Sequence, residues 1–591
     1  MKTTPILAAS LMLPLLAAAE DVVVTASRYQ QPVTNTLAAV TVLTAEDIKR
    51  FGDQDLASLL NRVAGISQTP AGSLGSTSSL QIRGASTGQM IVLIDGVRAG
   101  SATTGSATLN AIPLSNIERI EVVRGPASSL YGADGIGGVI QIFTADPEAT
   151  EGDVHVAAEY GSFNFQSYRA GFRATAGDTT ASGRFGYLST DGFDSTTLDG
   201  NGNEDRDGFK EWSGSLNVES RLTEALTLDV NHNQSHGVAD FDDASCTSDC
   251  AANTHTTTVL MNSGVGLRFD GDDSWQVQGK LGRHLDESTT ESSFPGEFNT
   301  ERLTYSLSAQ RPWGSRVSTI FGTDGYWDQV DSTTDYDESE RHNQALFGQA
   351  RFNYNDYELQ TSLRVDDNSA YGTNLTGNVA ASTFVTGDIE TIISYGTAFK
   401  APTFNDLYYP GFSNPDLVPE ESQTLELAMR QFGEQGQWRL SVYQTRVENL
   451  IQSGNNLDST LQGAEAEWSQ QFGVYDLALN AAYLDARDDD GDRLENRPVW
   501  SGFVALGRQA GPVRLDLDVK AEGERVSGGE DLDGYITLGA GGRYSLGEAS
   551  FLSARVDNLL DEDYVLNHDG WSDFDYNTPG RSFKVSAEYH F

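Results

Sequence analysis

Carboxylates crowd two stretches of this 591-residue chain, "GFDSTTLDGNGNEDRDGF" (residues 192–209) and "DFDDASCTSD" (residues 240–249). Side chains of one sign packed this closely repel one another unless a cation sits among them, and calcium, which takes six to eight oxygens, suits such a set. "NGNEDRDG" loosely follows an EF-hand loop, but no Glu stands where the bidentate ligand belongs, and ordinary solvated acidic loops are the alternative. A second stretch offers backbone chemistry. In "EDVVVTASR" (residues 20–28), Val22, Val23 and Val24 favour an extended chain, yet the next fifteen residues supply no turn dipeptide and no hairpin partner. Two other patterns carry less. "GASTG" (Gly84–Gly88) matches the nucleophile elbow, but the motif needs a helix after it and a second strand, "MIVLID", follows, so a hydrolase is not expected. His232 and His236 share one face of a strand with no H-E-x-x-H context, which argues against a metal site there.

The elements that position these residues begin with an export signal. "MKTTPILAASLMLPLLAAAE" has an early Lys, an apolar run broken by Pro14, and small residues up to Ala19, which predicts a secretory signal over residues 1–19 and a mature chain starting at Glu20. The run is too short to span a bilayer, and no later window of 18 consecutive apolar residues exists, which excludes a helical membrane protein. In an exported chain the pair Cys246 and Cys250 is expected to form a disulfide closing a small loop. The net charge is −45; residues 1–150 hold 9 basic and 12 acidic residues, so nearly all of the excess, −42, lies beyond them. Such a polyanion repels nucleic acid and attracts cations.

The texture breaks near residue 145. Before it, helix and strand mix. Thr44 is an N-cap with Asp47 three residues on, and Leu56, Leu59, Leu60 and Val63 line one face of a helix stopped by Gly65. The strands "SLQIRG", "MIVLIDGVR" and "IERIEVVRG" follow, then glycines before "VIQIFT", giving an α+β unit of residues 29–145. After it, alternating strands recur between polar, Gly- and Asp-rich loops. Val513, Leu515, Leu517, Val519 and Ala521 share one face; Phe583, Val585, Ala587, Tyr589 and Phe591 share another; "VHVAAEY" repeats the pattern. Alternation fits either a soluble sandwich with its apolar face inward or a transmembrane barrel with that face outward. About 440 residues without a linker, aromatics at strand ends ("SYGTAF", "LYYPGF", "DEDYV") and a last alternating strand ending at Phe591 favour a barrel of about 22 strands over residues 146–591. A lumen that wide needs a plug, and the unit in front supplies one.

These stretches, in order, resemble TonB-dependent outer-membrane receptors: "DVVVTASR" is similar to the family's TonB box, "LQIRGASTGQMIVLIDGVR" and "IERIEVVRGPASSLYGADGIGGVIQIFT" to its plug signature, and "ISYGTAFKAPTFNDLY", "NPDLVPEESQTLELA", "VDNLLDEDYV" and "TPGRSFKVSAEYHF" to its barrel segments. The resemblance implies a membrane all-β fold with a plugged 22-stranded barrel in a Gram-negative outer membrane, set in lipid and lipopolysaccharide, working as a monomer and a transporter rather than an enzyme. It implies that TonB pairs, by β-augmentation, with Asp21, Val22, Val23, Val24, Thr25 and Ala26.

Within the family the plug and "NPDLVPEES" resemble the cobalamin-receptor branch, so the expected cargo is cobalamin, with a ferric siderophore as the alternative and an uncoupled β-rich adhesin or lectin as the reading from another class. The same resemblance carries calcium binding to Asp194, Asp205, Asp207, Asp242 and Asp249, although the cysteines flanking Asp249 and the extra acids Asp240 and Asp243 blur the register. No redox or organic cofactor is implied. Cargo contacts are expected from two plug loops rich in small residues, Ser73, Ser76 and Ser79 in one and Ala99, Ser101 and Ser106 in the other. Tyr408, Tyr409 and Phe412 are either cargo-packing aromatics or girdle residues. Arg83, Arg98, Arg119 and Arg124 are expected to pin the plug to the acidic barrel wall.

Overall fold

Val513, Leu515, Leu517 and Val519 alternate with charged residues, and in the computed structural model the two sets face opposite ways: Leu515 and Leu517 are about half exposed (51% and 50%), whereas Asp516 and Asp518 are buried (8% and 5%). The last strand, Ser582–His590, does the same, with Phe583, Val585 and Tyr589 outward and Lys584 inward. Apolar residues outside and polar residues inside is the arrangement of a barrel surrounded by lipid. It removes the soluble sandwich. The strands close into one antiparallel barrel of 22, from Val154–Gly161 through to Ser582–His590, which pairs back onto the first. The structure describes residues 23–24, 28–144, 152–198, 203–246, 254–271, 274–452 and 454–591. The expected signal segment, Asp21, Val22, Thr25, Ala26, Asp249 and Cys250 lie outside these.

Among the described residues, one end of the barrel carries tight turns, as at Gly177, Gly314, Gly387, Gly473 and Gly511, all with positive φ. The other carries long loops, including residues 191–208, 241–254, 401–419 and 558–581. Short turns mark the periplasmic end and long loops the extracellular end. Outward aromatics gather in bands, such as Tyr168, Tyr187 and Trp212 near one rim and Trp275, Trp313 and Phe321 near the other. Two of the three stretches expected to form the girdle do not: Tyr564 stacks face to face on Tyr535 at 4.0 Å, and Tyr408 and Tyr409 stand in a loop.

The plug fills the lumen with a five-stranded sheet ordered Ala39–Thr44, Arg119–Arg124, Gly138–Phe143, Met90–Ile94, Val97–Ala99, whose third and fourth strands run parallel. "MIVLIDGVR" is two strands rather than one, because Asp95 and Gly96, both at positive φ, turn the chain back on itself. The Thr44–Asp47 capping box opens helix Ala45–Phe51. The second helix, Leu56–Leu60, is shorter than its apolar periodicity suggests; it ends at Asn61, and Gly65 lies beyond it. Its leucines are nonetheless fully buried, packing with Val63, Ile120 and Ile140 of the plug and with Leu260 and Phe503 of the wall. "GASTG" runs from strand Ser78–Ile82 into a single 3-10 turn and then strand Met90–Ile94, so the elbow geometry is absent.

Candidate functional site

The acidic loops converge. Residues 191–208 join two barrel strands, and the stretch after Asp240 opens the next extracellular loop. Burial first, then the charges of Asp207, Asp194 and Asp205, push Asp242 up to about 7. Burial, followed by Asp205 and Asp194, pushes Asp207 up to about 6 despite hydrogen bonds from Ser195. Asp205 is raised for the same reasons, burial first and then Asp240 and Asp194. Asp194 thus helps to raise Asp205, Asp207 and Asp242 across two loops, and Asp240 belongs to the same field. Asp243 is different: burial acts upward on it, but the backbone N–H groups of Ser293 and Ser245 donate to it at 2.8 and 2.9 Å and hold its carboxyl below the usual range. It organises the loop instead of joining the cluster. Cys246 is disulfide-bonded, and no cysteine among the described residues is free.

This acidic shelf grips the plug. Ser195 N–H donates to the Asp207 carboxylate at 2.9 Å, Ser195 Oγ accepts from Ser73 N–H at 3.0 Å, and Ser73 Oγ donates to the Asp207 carbonyl at 2.5 Å. Of the predicted plug-loop residues, Ser73 is thus buried in the joint between plug and shelf. Ser76 lies on the same loop, which borders a cavity of about 250 Å3 walled by Phe163, Phe193, Lys520 and Asn577, whereas Ser79 stands on strand Ser78–Ile82, paired with Thr69, and does not line it. Gly75 is required there: its φ is +90°, and a Cβ would lie 2.2 Å from the Phe209 ring.

The second loop, with Ala99, Ser101 and Ser106, docks elsewhere on the wall. Gly100 N–H donates to His284 Nε2 at 3.1 Å and Ala102 N–H to Thr300 Oγ1 at 3.0 Å. The Ala102 and Thr103 carbonyls accept from Phe404 and Asn405 N–H, at the start of helix Phe404–Tyr408. Tyr408 packs with Ala102, Val330 and Phe404, and Tyr409 lies edge-on to Tyr336 at 6.0 Å. Phe412 is 85% exposed. The aromatics therefore stand over the plug apex on an extracellular loop, where a bulky ligand can reach them.

Beneath both loops lies a buried ionic latch. Arg83 takes a left-handed backbone (φ +54°), which aims its guanidinium at Glu426 and Glu465, both at 2.8 Å, over the ring of Tyr443. Arg124 reaches Glu467 at 2.6 Å and Glu465 at 3.6 Å, and Arg439 pairs with Glu426 at 3.0 Å. Three guanidiniums thus meet three carboxylates. The other two arginines expected to pin the plug find their carboxylates within it, Arg98 at 2.5 Å from Asp134 and Arg119 at 3.0 Å from Glu121, although Arg98 also lies over the ring of the wall residue Tyr326 at 5.9 Å. Their roles at the wall pass to residues that composition could not single out, Arg50 with Asp476 and Asp516, Arg62 with Asp518, and Glu118 with the wall residue Arg184. Gly65, expected as a helix stop, instead makes room for the latch, since a Cβ there would meet Glu465 Oε1 at 2.1 Å at a φ of +71°. Gly65→Ala is expected to weaken plug docking by about 1–3 kcal/mol, read as a lower urea midpoint for plug protection from protease.

Comparison with known proteins decides what this assembly is. The model for "TonB dependent receptor-like, beta-barrel" matches residues 153–559, and that for the "TonB-dependent Receptor Plug Domain" matches residues 32–139. The chain belongs to the TonB-dependent receptor family. The receptor is 31% identical over 591 residues to the vitamin B12 transporter BtuB of Photobacterium profundum, covering 96% of this chain and 95% of that one. It is 29% identical over 609 residues to BtuB of Vibrio cholerae (97% and 95% covered). Among solved structures, the ferric enterobactin receptor PfeA of Pseudomonas aeruginosa superposes with a TM-score of 0.81 at 19% identity (93% and 98% covered), and P. aeruginosa FpvA bound to pyoverdines with 0.82 at 16% (97% and 90% covered). At those identities the superpositions establish the fold. The receptor is an outer-membrane protein whose family transports cargo with TonB.

At the receptor's periplasmic end the N-terminal strand is not partnerless. Val23 pairs with Pro32 and Val24 with Gln31, a two-residue antiparallel ladder. Behind it, Arg28 is fixed to the barrel wall by Asp324 at 2.5 Å and lies over the Phe347 ring at 4.3 Å.

Proposed function

We propose that the receptor imports cobalamin, with calcium held by Asp194, Asp205, Asp207 and Asp242, joined by Asp249, and with TonB engaging residues 21–26. The observation that carries this reading is near-full-length similarity to two proteins described as vitamin B12 transporters, at 31% and 29% identity. The site supports it in a particular way. The raised carboxyls of Asp207 and Asp242 describe a shelf whose charges a cation would relieve, and Ser73 of the plug is bonded to that same shelf. A bound calcium would fix the shelf, the Ser73 loop and the cavity beside it as one unit. Calcium here supplies charge neutralisation; no covalent step is involved. The solved siderophore receptors share the fold, which keeps a ferric siderophore as the second reading.

The deciding experiment is an equilibrium binding screen of the purified receptor with cobalamin and several ferric siderophores, each with calcium and with a chelator. Cobalamin is expected to bind, and chelation to weaken it on the order of tenfold or more. Asp207→Asn with Asp242→Asn should reproduce the chelated affinity. Because the ion needs both carboxylates ionised, the calcium effect should fade as pH drops through about 7 and 6. Tight binding of an iron chelate without cobalamin binding overturns the cargo; cobalamin affinity indifferent to chelator overturns the calcium.

A further inference from the structure

The barrel closes where its first strand, Val154–Gly161, meets its last, Ser582–His590, and these strands have only eight and nine residues while others reach 18. At the periplasmic end of this seam three potential ligands from the two ends of the barrel chain come together. His155 is the register partner of His590, and Asp153 lies just before the first strand. Asp153 Oδ2 is 2.9 Å from His155 Nδ1, Asp153 Oδ1 is 2.8 Å from His590 Nδ1, and the three ligand atoms lie within 4.8 Å of one another. The imidazoles stack at 5.4 Å between centroids, and all three residues are partly buried.

The proton inventory points to a cation. His590 Nε2 lies 2.8 Å from Glu588 Oε1, and a carboxylate can only accept, so Nε2 carries the proton. In the neutral ring Nδ1 is then a bare lone pair, and it faces the lone pairs of Asp153 at 2.8 Å. A divalent cation taken up by this pair of atoms satisfies both sets of lone pairs. A carboxylate holding the far nitrogen of a ligating histidine is the usual outer shell of a metal site. The His155 Nε2 edge is packed over Gly171, where a Cβ would come within 2.5 Å of it, so this ring too offers only Nδ1 to the cluster. Glu588 also accepts from Lys49 of the plug at 2.7 Å, which ties the cluster to helix Ala45–Phe51.

We propose that Asp153, His155 and His590 form a divalent transition-metal site of the zinc class that staples the barrel seam at its periplasmic rim and, through Glu588 and Lys49, touches the plug. Two imidazole nitrogens and a carboxylate select zinc or a similar ion over calcium, which prefers an all-oxygen shell. Three protein ligands leave the fourth tetrahedral position to water. The site lies at the opposite end of the barrel from the acidic shelf, so it does not rest on the cargo reading.

The test is a calorimetric titration of the full purified receptor in detergent with Zn²⁺ alone, in excess calcium so that the acidic loops are filled. One equivalent is expected to bind with a dissociation constant in the micromolar range or below, and zinc should raise the temperature at which the barrel loses its folded gel mobility. His155→Ala and His590→Ala should each abolish both effects, and Glu588→Gln should weaken binding about 10–100-fold. His232→Ala with His236→Ala, on a barrel strand away from the seam, should change neither. Absence of a saturable zinc equivalent in the wild-type receptor overturns the proposal whatever the variants do. So does zinc binding that survives both His155→Ala and His590→Ala, since it must then arise elsewhere.

Discussion

Arg83→Ala is expected to unlatch the plug while leaving the barrel intact. Arg83 is buried at the centre of the latch, and its removal leaves Glu426 with Arg439 alone and Glu465 with the longer contact to Arg124. Two buried carboxylates would then share a pocket one positive charge short. Breaking a buried pair by deleting one partner costs about 3–5 kcal/mol, chiefly because the orphaned charge stays desolvated. No rung of the barrel ladder depends on this side chain, so heat-modifiable migration should persist. The urea midpoint for plug protection from protease should fall, and the variant should pass ions in planar bilayers more often than wild type. The size of the effect can be separated from the loss of a contact. Arg83→Met combined with Glu426→Gln and Glu465→Gln removes the whole cluster, and it should be less harmful than Arg83→Ala because no charge is stranded. Arg83→Lys should fall between, keeping the charge but losing the fork that spans two carboxylates. An Arg83→Ala receptor with an unchanged midpoint and unchanged conductance would remove the latch from the mechanism. A latch of ion pairs could exchange partners, or take water, once a shift of the plug opened it, whereas the Leu56–Leu60 face cannot leave its core without exposing apolar surface.

The barrel was legible in the sequence because its signal is local. Alternation at Val513–Ala521 and Phe583–Phe591 is a period-two pattern within single strands, and strand number follows from its repetition. Which face looks outward is not local, and only closure of the sheet settles it. Much the same divides the site. The acidic loops stand out as composition, but Asp243 is indistinguishable there from Asp242; they part only because the N–H groups of Ser293 and Ser245 reach one and not the other. Among the arginines, sign and position pick out all four equally. Arg83 and Arg124 cross to the wall because Glu426, Glu465 and Glu467, hundreds of residues later, are brought opposite them, while Asp134 and Glu121 capture Arg98 and Arg119 nearby. Gly65 could be read only as punctuation, since the reason for it is a carboxylate 400 residues away. The seam cluster left no trace of its own in the sequence: Asp153 and His590 are neighbours solely because the barrel closes.

Val24→Pro is expected to abolish energised uptake and leave cargo binding unchanged. Proline fixes φ near −65° and removes a backbone N–H, so the segment can neither keep its present ladder nor add a clean strand to another sheet. That ladder is two residues long, and one of its partners, Pro32, has no N–H to donate. Short isolated pairings are marginal in water, so a protein offering a longer open sheet edge can take the strand over at small cost. Arg28 marks where the exchange stops, because Asp324 and the Phe347 ring hold it to the wall. If TonB engages residues 21–26 as proposed, a pull on them is delivered first to that anchor and then to the plug behind it. The plug loops around Ser73 and Ser101, proposed to contact cargo, stand at the opposite end of the barrel, which is why binding by whole cells and by purified receptor should match wild type. Pairing of this kind reads the backbone more than the side chain, so Val24→Ile and Val24→Ala should retain most of the uptake. Wild-type uptake by Val24→Pro would detach these residues from energy coupling; equal loss in Val24→Ala would mean instead that the partner reads the valine side chain itself.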